Sequence, residues 1–415
     1  MDELAPNDHK KLGKELGLFT FSDTVGKGLP LFTPKGSTIR RELERFIVDE
    51  EIRRDYLHVY TPDIAKIELY EKSGHYPYYK ESMYAPIAIE DEQFMLRPMT
   101  CPHHFELYLS QPHSYRELPI RYAELAKLYR FEQSGELMGL QRVRTFCLAD
   151  AHIITQKSNA QAEINSVLDL IEFVAKTFGL LLGENYYYRL SLGDRKDTKK
   201  YFKDDDAWDE AEDTLRSTLV ARESAFVEAE NEAAFYGPKI DVQMKNANGK
   251  EDTAFTVQYD FVMPKRFNLT YINDHGENEQ PIVIHRSSIG AIERVMAFLI
   301  EHYAGAFPVW LAPIQAIILP VSEKFETYAK SVFKTLKNSG IRMELDNSSN
   351  TLGNKIREAT LQKVPFMCII GGQEEEASVD GRQMISVRAR DGKDLGKIEV
   401  EEFIKQIQKD IETKH

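Results

Sequence analysis

The chain has 415 residues, a net charge of −13, 42% hydrophobic and 29% charged residues, a make-up ordinary for a globular protein with room for two or three cores. Three widely spaced cysteines, Cys101, Cys147 and Cys368, argue against a disulfide framework and for a reducing compartment. The N-terminus "MDELAPNDHKKLGKELGLF" has no apolar signal region, and no stretch approaches the roughly 20 apolar residues of a membrane span. A cytoplasmic protein with no membrane partner is therefore expected. The acidic balance speaks against a nucleic-acid binder on average, although local basic clusters can still meet phosphate.

In chain order, residues 1–35 form a polar lead-in ending in "GKGLPLFTPKG". From Ser37 to about Arg54, apolar Ile39, Leu43, Phe46 and Ile47 recur at spacings of three and four, which predicts an amphipathic helix capped by Ser37. "DYLHVYTPDI" reads as a strand ended by Pro62. "MTCPHHFELY", residues 99–108, is either a strand end with a turn or half of a metal site with distant partners. "FMLRPM", "RYAELAKLYRFE" and "RVRTFCLADAHII" read as strands, the last two as an antiparallel hairpin around "QSGELMG". A helix is expected over 160–178, a strand at "YYYRLSLGD", and a helix over "DDDAWDEAEDTLRSTLVARES", whose acidic start suits the helix dipole. "FYGPKIDVQM" and "DTAFTVQYDFVMP" are two further strands. "QPIVIHR" is a strand leading into the helix "SSIGAIERVMAFLIEHY".

Two prolines in "AGAFPVWLAP" mark a domain boundary. Beyond Pro313, strands at "QAIILPV", "IRMELD", "FMCIIGG" and "RQMISVRAR" alternate with helices at "EKFETYAKSVFKTLKNSG", "TLGNKIREATLQKV" and "VEEFIKQIQKDIE". This predicts a small α/β domain with a mixed sheet.

Period two places Arg142, Arg144, Phe146, Leu148, Asp150 and His152 on one face of "RVRTFCLADAH", and Val143, Thr145, Cys147, Ala149 and Ala151 on the other. Arg130 and Glu132 share a face of "KLYRFE". Arginines that bind phosphate, a ring that stacks a base and a carboxylate that accepts from an amine would together hold a nucleoside triphosphate on a sheet. A solvated sheet face is the competing reading. No GxxxxGK[ST] occurs, which excludes a P-loop. Arg294 lies off the apolar stripe Ile289, Ile292, Met296 and Leu299. Gly290 near the helix start suggests close approach to the backbone.

These residues resemble the catalytic core of the class II aminoacyl-tRNA synthetases. "STIRRELERF…YTPDI" is similar to motif 1, "YRFEQSG…GLQRVRTF" to motif 2 and "GAIERVMAFL" to motif 3. The nearer resemblance is to the threonyl-tRNA synthetase family, through "RPMTCPHH", "GLQRVRTFCLADAHI", "AFYGPKIDVQM", "FTVQYDF" and "IHRSSIGAIERV", in that family's order. It covers nearly the whole chain and implies an α/β (α+β) fold. A class II antiparallel sheet flanked by helices would form a catalytic domain over 1–308. An anticodon-binding domain with a mixed sheet would occupy 313–415.

The resemblance implies threonine–tRNA ligase activity. L-threonine and ATP would form threonyl-adenylate, and the aminoacyl group would pass to tRNA(Thr). It implies one zinc per subunit on Cys101, His152 and His285, with neither His103 nor His104 a ligand, and Mg²⁺ with ATP. Three Cys/His ligands with an open position are the pattern of a functional zinc. Such an ion would tell threonine from its isostere valine, which shape alone rejects only about a hundredfold. Carried over motif by motif, Arg130 would meet the α-phosphate. Arg142 and Arg294 would hold the outer phosphates, with Phe146, Glu132, Val143 and Thr256 about the adenosine. Asp150, Tyr236 and Gln258 would line the threonine pocket, with Lys239 beside them as a catalytic cation. Lys355, Arg357, Glu374 and Arg388 would meet the anticodon. The motif 1 region would form a homodimer interface.

Leu148 stands where many bacterial relatives have glutamine, and Ala149 replaces an acidic residue. The resemblance further implies that the family's N-terminal editing domains are missing. Serine mischarging uncorrected in cis is then expected, with a separate trans-editing protein as a possible partner. A sister synthetase for serine or proline, a synthetase-like RNA-binding protein without catalysis, and a metal hydrolase are the alternatives. The Cys/His/His set argues against the first, intact arginines against the second, and the absence of HExxH against the third.

Overall fold

The computed structural model describes residues 5–415. The chain packs as two compact units, one of Phe21–Pro30 with Glu44–Phe298, the other of the chain up to Thr20, Leu31–Leu43 and Leu299–His415. Among the described residues, no helix is long and apolar enough to cross a membrane.

Helix α1 spans Pro34–Arg53, so it begins ahead of the Ser37 cap expected from the pattern. Proline suits the first helical position, and Thr33 caps it by accepting the Gly36 N–H on Oγ1 at 3.3 Å. The "DYLHVYTPDI" segment supplies only the short strand β1 (Leu57–His58) before a further short strand, Ile64–Lys66. "CPHHFELY" is neither a strand end nor a turn: it is helix α2, Cys101–Tyr108, with Pro102 in its first turn.

The elements as far as His302 follow in order: β2 (Ile120–Tyr129), β3 (Thr145–Thr155), α3 (Ala160–Thr177), β4 (Tyr186–Ser191), α4 (Asp205–Ala221), β5 (Phe226–Ala229), β6 (Lys239–Lys245), β7 (Glu251–Asp260), β8 (Ile282–Ser287) and α5 (Ile292–His302). They build an eight-stranded sheet in the order β5-β4-β6-β7-β8-β3-β2-β1. Its interior pairs are antiparallel, and the two edge pairs, β4/β5 and β1/β2, are parallel.

One face of the sheet is closed by helices. Ile164, Val167, Leu168, Ile171 and Val174 of α3 are fully buried, as are Trp208, Leu215 and Leu219 of α4. Helix α3 packs on β7 and β8, and α4 on β6. Each such aliphatic side chain stabilises the fold by about 1.5–3 kcal/mol. With one face sealed, strand alternation delivers Phe146, Leu148, Asp150 and His152 of β3 to a cleft on the other.

In the second unit, β9 (Ala316–Pro320), α6 (Glu326–Asn338), β10 (Met343–Leu345), α7 (Leu352–Leu361), β11 (Phe366–Ile370), β12 (Met384–Ala389), β13 (Asp394–Glu399) and α8 (Val400–Thr413) form a five-stranded mixed sheet with helices. Its order is β10-β9-β11-β12-β13, with β9 parallel to β10 and β11, and the remaining pairs antiparallel. Ile318, Val332, Leu336, Cys368, Ile385, Phe403 and Ile407 form its core. Strand β13 was not foreseen, because four of its six residues are exposed and show no apolar alternation. The helix His9–Glu15 inside the polar lead-in was also missed. It is two turns long and buries only His9, Leu12 and Gly13.

Candidate active site

Register across five strands sets the geometry. Lys239 of β6 pairs with Gln258 of β7, Gln258 with His285 of β8, His285 with His152 of β3, and His152 with Tyr122 of β2. Directly opposed residues bring their Cβ atoms to about 4.5–5.5 Å. Residues scattered over more than a hundred positions thus become one row. Lys239, Gln258, His285 and His152 of this row floor a cleft of ≈ 1020 Å³ that is also lined by Cys101, Arg130, Glu132, Arg142, Val143, Phe146, Asp150, Tyr236, Thr256 and Arg294.

At one end, Cys101 from the first turn of α2 meets His152 and His285. All three are buried, and their donor atoms lie within 4.8 Å of one another. Outside this trio, His285 Nε2 is 2.7 Å from Asp260 Oδ2, while Asp260 Oδ1 accepts the Val262 and Met263 N–H groups at 2.9 and 2.8 Å. His152 Nδ1 lies 2.8 Å from His104 Nδ1. Burial, with Asp150 and Asp260 nearby, pushes the Cys101 thiol well up, and burial holds His152 well below its ordinary range. One thiol and two imidazoles with outer hydrogen-bond partners are a donor set that fits zinc. His103 stands apart, packed 6.2 Å from the Tyr70 ring. A second buried cluster, Asp8, His9 and Glu301, is joined by a 2.6 Å hydrogen bond from His9 Nδ1 to Glu301 that occupies that imidazole nitrogen.

Beside the trio, Tyr236 stacks on His285 at 4.9 Å and donates its hydroxyl to Gln258 Oε1 at 2.5 Å. Asp150 is buried, which raises its carboxyl above the usual range. Gln258 donates to Thr256 Oγ1 at 3.4 Å, and Thr256 donates to Asp241 Oδ1 at 3.0 Å. Asp241 Oδ2 holds Lys239 Nζ at 2.8 Å, with Arg189 at 3.0 Å and the Ser191 hydroxyl at 2.9 Å.

At the other end, Arg130 sits 5.1 Å over the Phe146 ring. Arg294 donates to the carbonyls of Gln141 and Thr253 at 3.1 and 2.8 Å. Burial lowers both guanidinium groups from their ordinary value. Partly desolvated cations lining a cleft are a setting that an anionic ligand relieves. Arg142 is exposed and held by Glu132 at 2.8 Å and Glu136 at 3.1 Å. Gly290 has φ +75°, and a Cβ there would strike the carbonyl oxygen of Ala254, so the approach suspected at this glycine is by the neighbouring strand's backbone.

Sequence reasoning passes over His75, Glu124 and Asp241, and treats His104 only as a residue that is not a ligand. Burial takes His75 down to about 3, and its ring meets Phe235 edge-on at 5.4 Å in the cleft wall. Asp241 was legible by period two from Lys239, and Glu124 by a correct hairpin register, since it pairs with Asp150. In the second unit, Lys355 is buried and donates to the carbonyls of Pro320 and Asp346, both at 3.2 Å. Glu374 accepts the Gly371 N–H at 2.8 Å and the Ser386 hydroxyl at 2.7 Å. Arg357 is exposed on α7, and Arg388 is half-buried on β12.

Residues 84–303 match the family described as the tRNA synthetase class II core domain (G, H, P, S and T), and residues 315–410 match the anticodon binding domain. The threonine–tRNA ligase of Halalkalibacterium halodurans is 47% identical over 98% of this chain, and that of Listeria monocytogenes 49% identical over 98%. The chain spans 62% of the length of each of these curated relatives. The solved RNA binding domain of threonyl-tRNA synthetase from Cryptosporidium parvum is 35% identical with a TM-score of 0.89, covering 97% of this chain and 98% of that one.

Proposed function

The chain belongs to the class II tRNA synthetases and, among them, to the threonyl-tRNA synthetase family, and on that premise we propose that it acts as a threonine–tRNA ligase. In the first step an oxygen of the threonine carboxylate bonds to the α-phosphorus of ATP, and the bond to pyrophosphate breaks. In the second, a terminal hydroxyl of tRNA(Thr) attacks the adenylate carbonyl and AMP leaves. No protein nucleophile is needed. Positioning and electrostatic stabilisation do the chemistry, with Mg²⁺ accompanying the triphosphate.

The observation that carries this reading is the convergence of Cys101, His152 and His285 at one end of a cleft whose other end holds the partly desolvated Arg130 and Arg294. Cys101, His152 and His285 would hold zinc, which would supply a Lewis-acidic centre for an amine and a hydroxyl, the second of which valine lacks. Asp150, Tyr236 and Gln258 bind and orient the amino acid. Arg130 stabilises charge at the α-phosphate, and Phe146 stacks the adenine. Arg142 leaves Glu132 and Glu136 to meet the outer phosphates with Arg294. That release frees Glu132 for the adenine amine, with Val143 and Thr256 closing the nucleotide pocket. Lys239, pinned by Asp241, supplies a further cation.

The domain boundary is taken at 308–313, with the second unit meeting the anticodon through Arg357 of α7 and Arg388 of β12. Leu57, Tyr60 and Ile64, which are 55%, 91% and 41% exposed, are taken as part of a homodimer interface that a monomer in sedimentation equilibrium would refute. A cytoplasmic setting suits three free cysteines. The test is zinc content paired with threonine-dependent ATP–pyrophosphate exchange. The native chain should bind about one zinc and exchange. A Cys101→Ala variant that keeps both full zinc and normal exchange removes the assignment.

A further inference from the structure

Behind the candidate ion ligands lies a second layer that the family motifs leave without a role. His104 follows Cys101 by one helical turn on α2, so one helix face presents both side chains. His104 is fully buried. Its ring stands edge-on to His152 at 4.8 Å, and His152 stands edge-on to His285 at 4.6 Å. The contact between His104 and His152 is a hydrogen bond between two ring nitrogens, Nδ1 to Nδ1 at 2.8 Å. One nitrogen must therefore carry the proton and the other the lone pair.

The far side of His104 decides which. Its Nε2 is 3.2 Å from Glu124 Oε2. Glu124 is pinned by three other donors: the Thr61 hydroxyl at 2.7 Å, the Thr61 N–H at 3.2 Å and Arg97 at 3.0 Å. A carboxylate so surrounded only accepts, so His104 carries a proton on Nε2, and in the neutral ring that leaves the lone pair at Nδ1. His152 must then donate from Nδ1, which leaves Nε2 as its free donor atom for an ion. On the other ligand, Asp260 accepts from His285 Nε2, which leaves Nδ1 free.

We propose that His104, anchored by Glu124, is a positioning residue of the ion site and fixes His152 in the tautomer whose Nε2 is available as a ligand. The inference rests on the zinc reading above and adds a residue that touches neither the ion nor a substrate. Such outer partners typically change metal affinity by about 10–100-fold.

Zinc affinity, measured by competition with a chromophoric chelator, provides the test, with Co²⁺ absorption spectra reporting ligand geometry. His104→Phe keeps the bulk and removes both nitrogens, and zinc should bind about 10–100-fold more weakly. In His104→Asn the carboxamide oxygen stands where Nδ1 accepted, and most of the affinity should return along with the native Co²⁺ spectrum. Native affinity in the Phe variant overturns the proposal, as does an Asn variant as weak as Phe. Cys101→Ser separates the two levels. If it leaves zinc binding intact, the ion reading itself fails. If it abolishes binding while His104→Phe binds normally, only the role of His104 fails. Should the Phe variant not fold, ¹⁵N spectra of the histidine-labelled native chain decide alone: His152 protonated on Nδ1 supports the proposal, and on Nε2 overturns it.

Discussion

Replacing Glu124 by Gln tests how firmly charge holds the layer behind the candidate ion site. Glu124 is 2% exposed, and its partner Arg97 is 1% exposed at 3.0 Å. Burial alone would raise its carboxyl, but hydrogen bonds from His104 and Thr61 and the Arg97 charge outweigh it and bring the value down to about 2. A carboxyl depressed in the folded state contributes stability that is present above its unfolded value of 4.5 and is lost as pH falls toward 2. The drop from 4.5 to about 2 corresponds to about 3 kcal/mol at neutral pH. Removing one partner of a buried ion pair gives the same order, roughly 3–5 kcal/mol. Glu124→Gln should therefore be less stable than the native chain by about 3 kcal/mol at pH 7, and the gap should narrow by about 1 kcal/mol at pH 3.5. Urea unfolding of both proteins across that range, followed by fluorescence, measures the gap. A gap independent of pH, or a variant as stable as native at pH 7, refutes the reasoning.

Gly290→Ala should lower the thermal midpoint, because the left-handed backbone costs an alanine about 1–2 kcal/mol and the Ala254 carbonyl must also give way; an unchanged midpoint counts against the close approach. Asp241→Asn puts an amide donor against Lys239 and Arg189, and should cut kcat/KM for exchange by about ten- to a hundredfold through misplacement of Lys239 and Thr256. Normal exchange in that variant would show that the carboxylate positions neither. The 415-residue polypeptide, assayed alone, should charge tRNA with labelled serine at a measurable rate, since serine also has an amine and a β-hydroxyl. Absence of a seryl product refutes this.

Local pattern made much of the molecule legible. Strand alternation in "RVRTFCLADAH" placed Phe146, Asp150 and His152 on one face, and those residues line the cleft. The α/β alternation after Pro313 yielded four of the five strands of the mixed sheet. Where local signals are weak the elements are not legible: β13 has no apolar alternation, and α1 begins at Pro34, capped by Thr33, ahead of the apolar period that points to Ser37.

Sequence alone set the face that Phe146, Asp150 and His152 share, because residue type and period two are local properties, whereas Cys101, Lys239 and His285 stood out through the family resemblance. What only tertiary structure decided was their company. Lys239, Gln258, His285 and His152 come from four strands and become neighbours solely through hydrogen-bond register, which no window of sequence encodes. The same holds for the layer behind them. Whether a histidine on α2 meets another on β3 and a glutamate on β2 depends on packing between elements, and packing is a property of the folded chain.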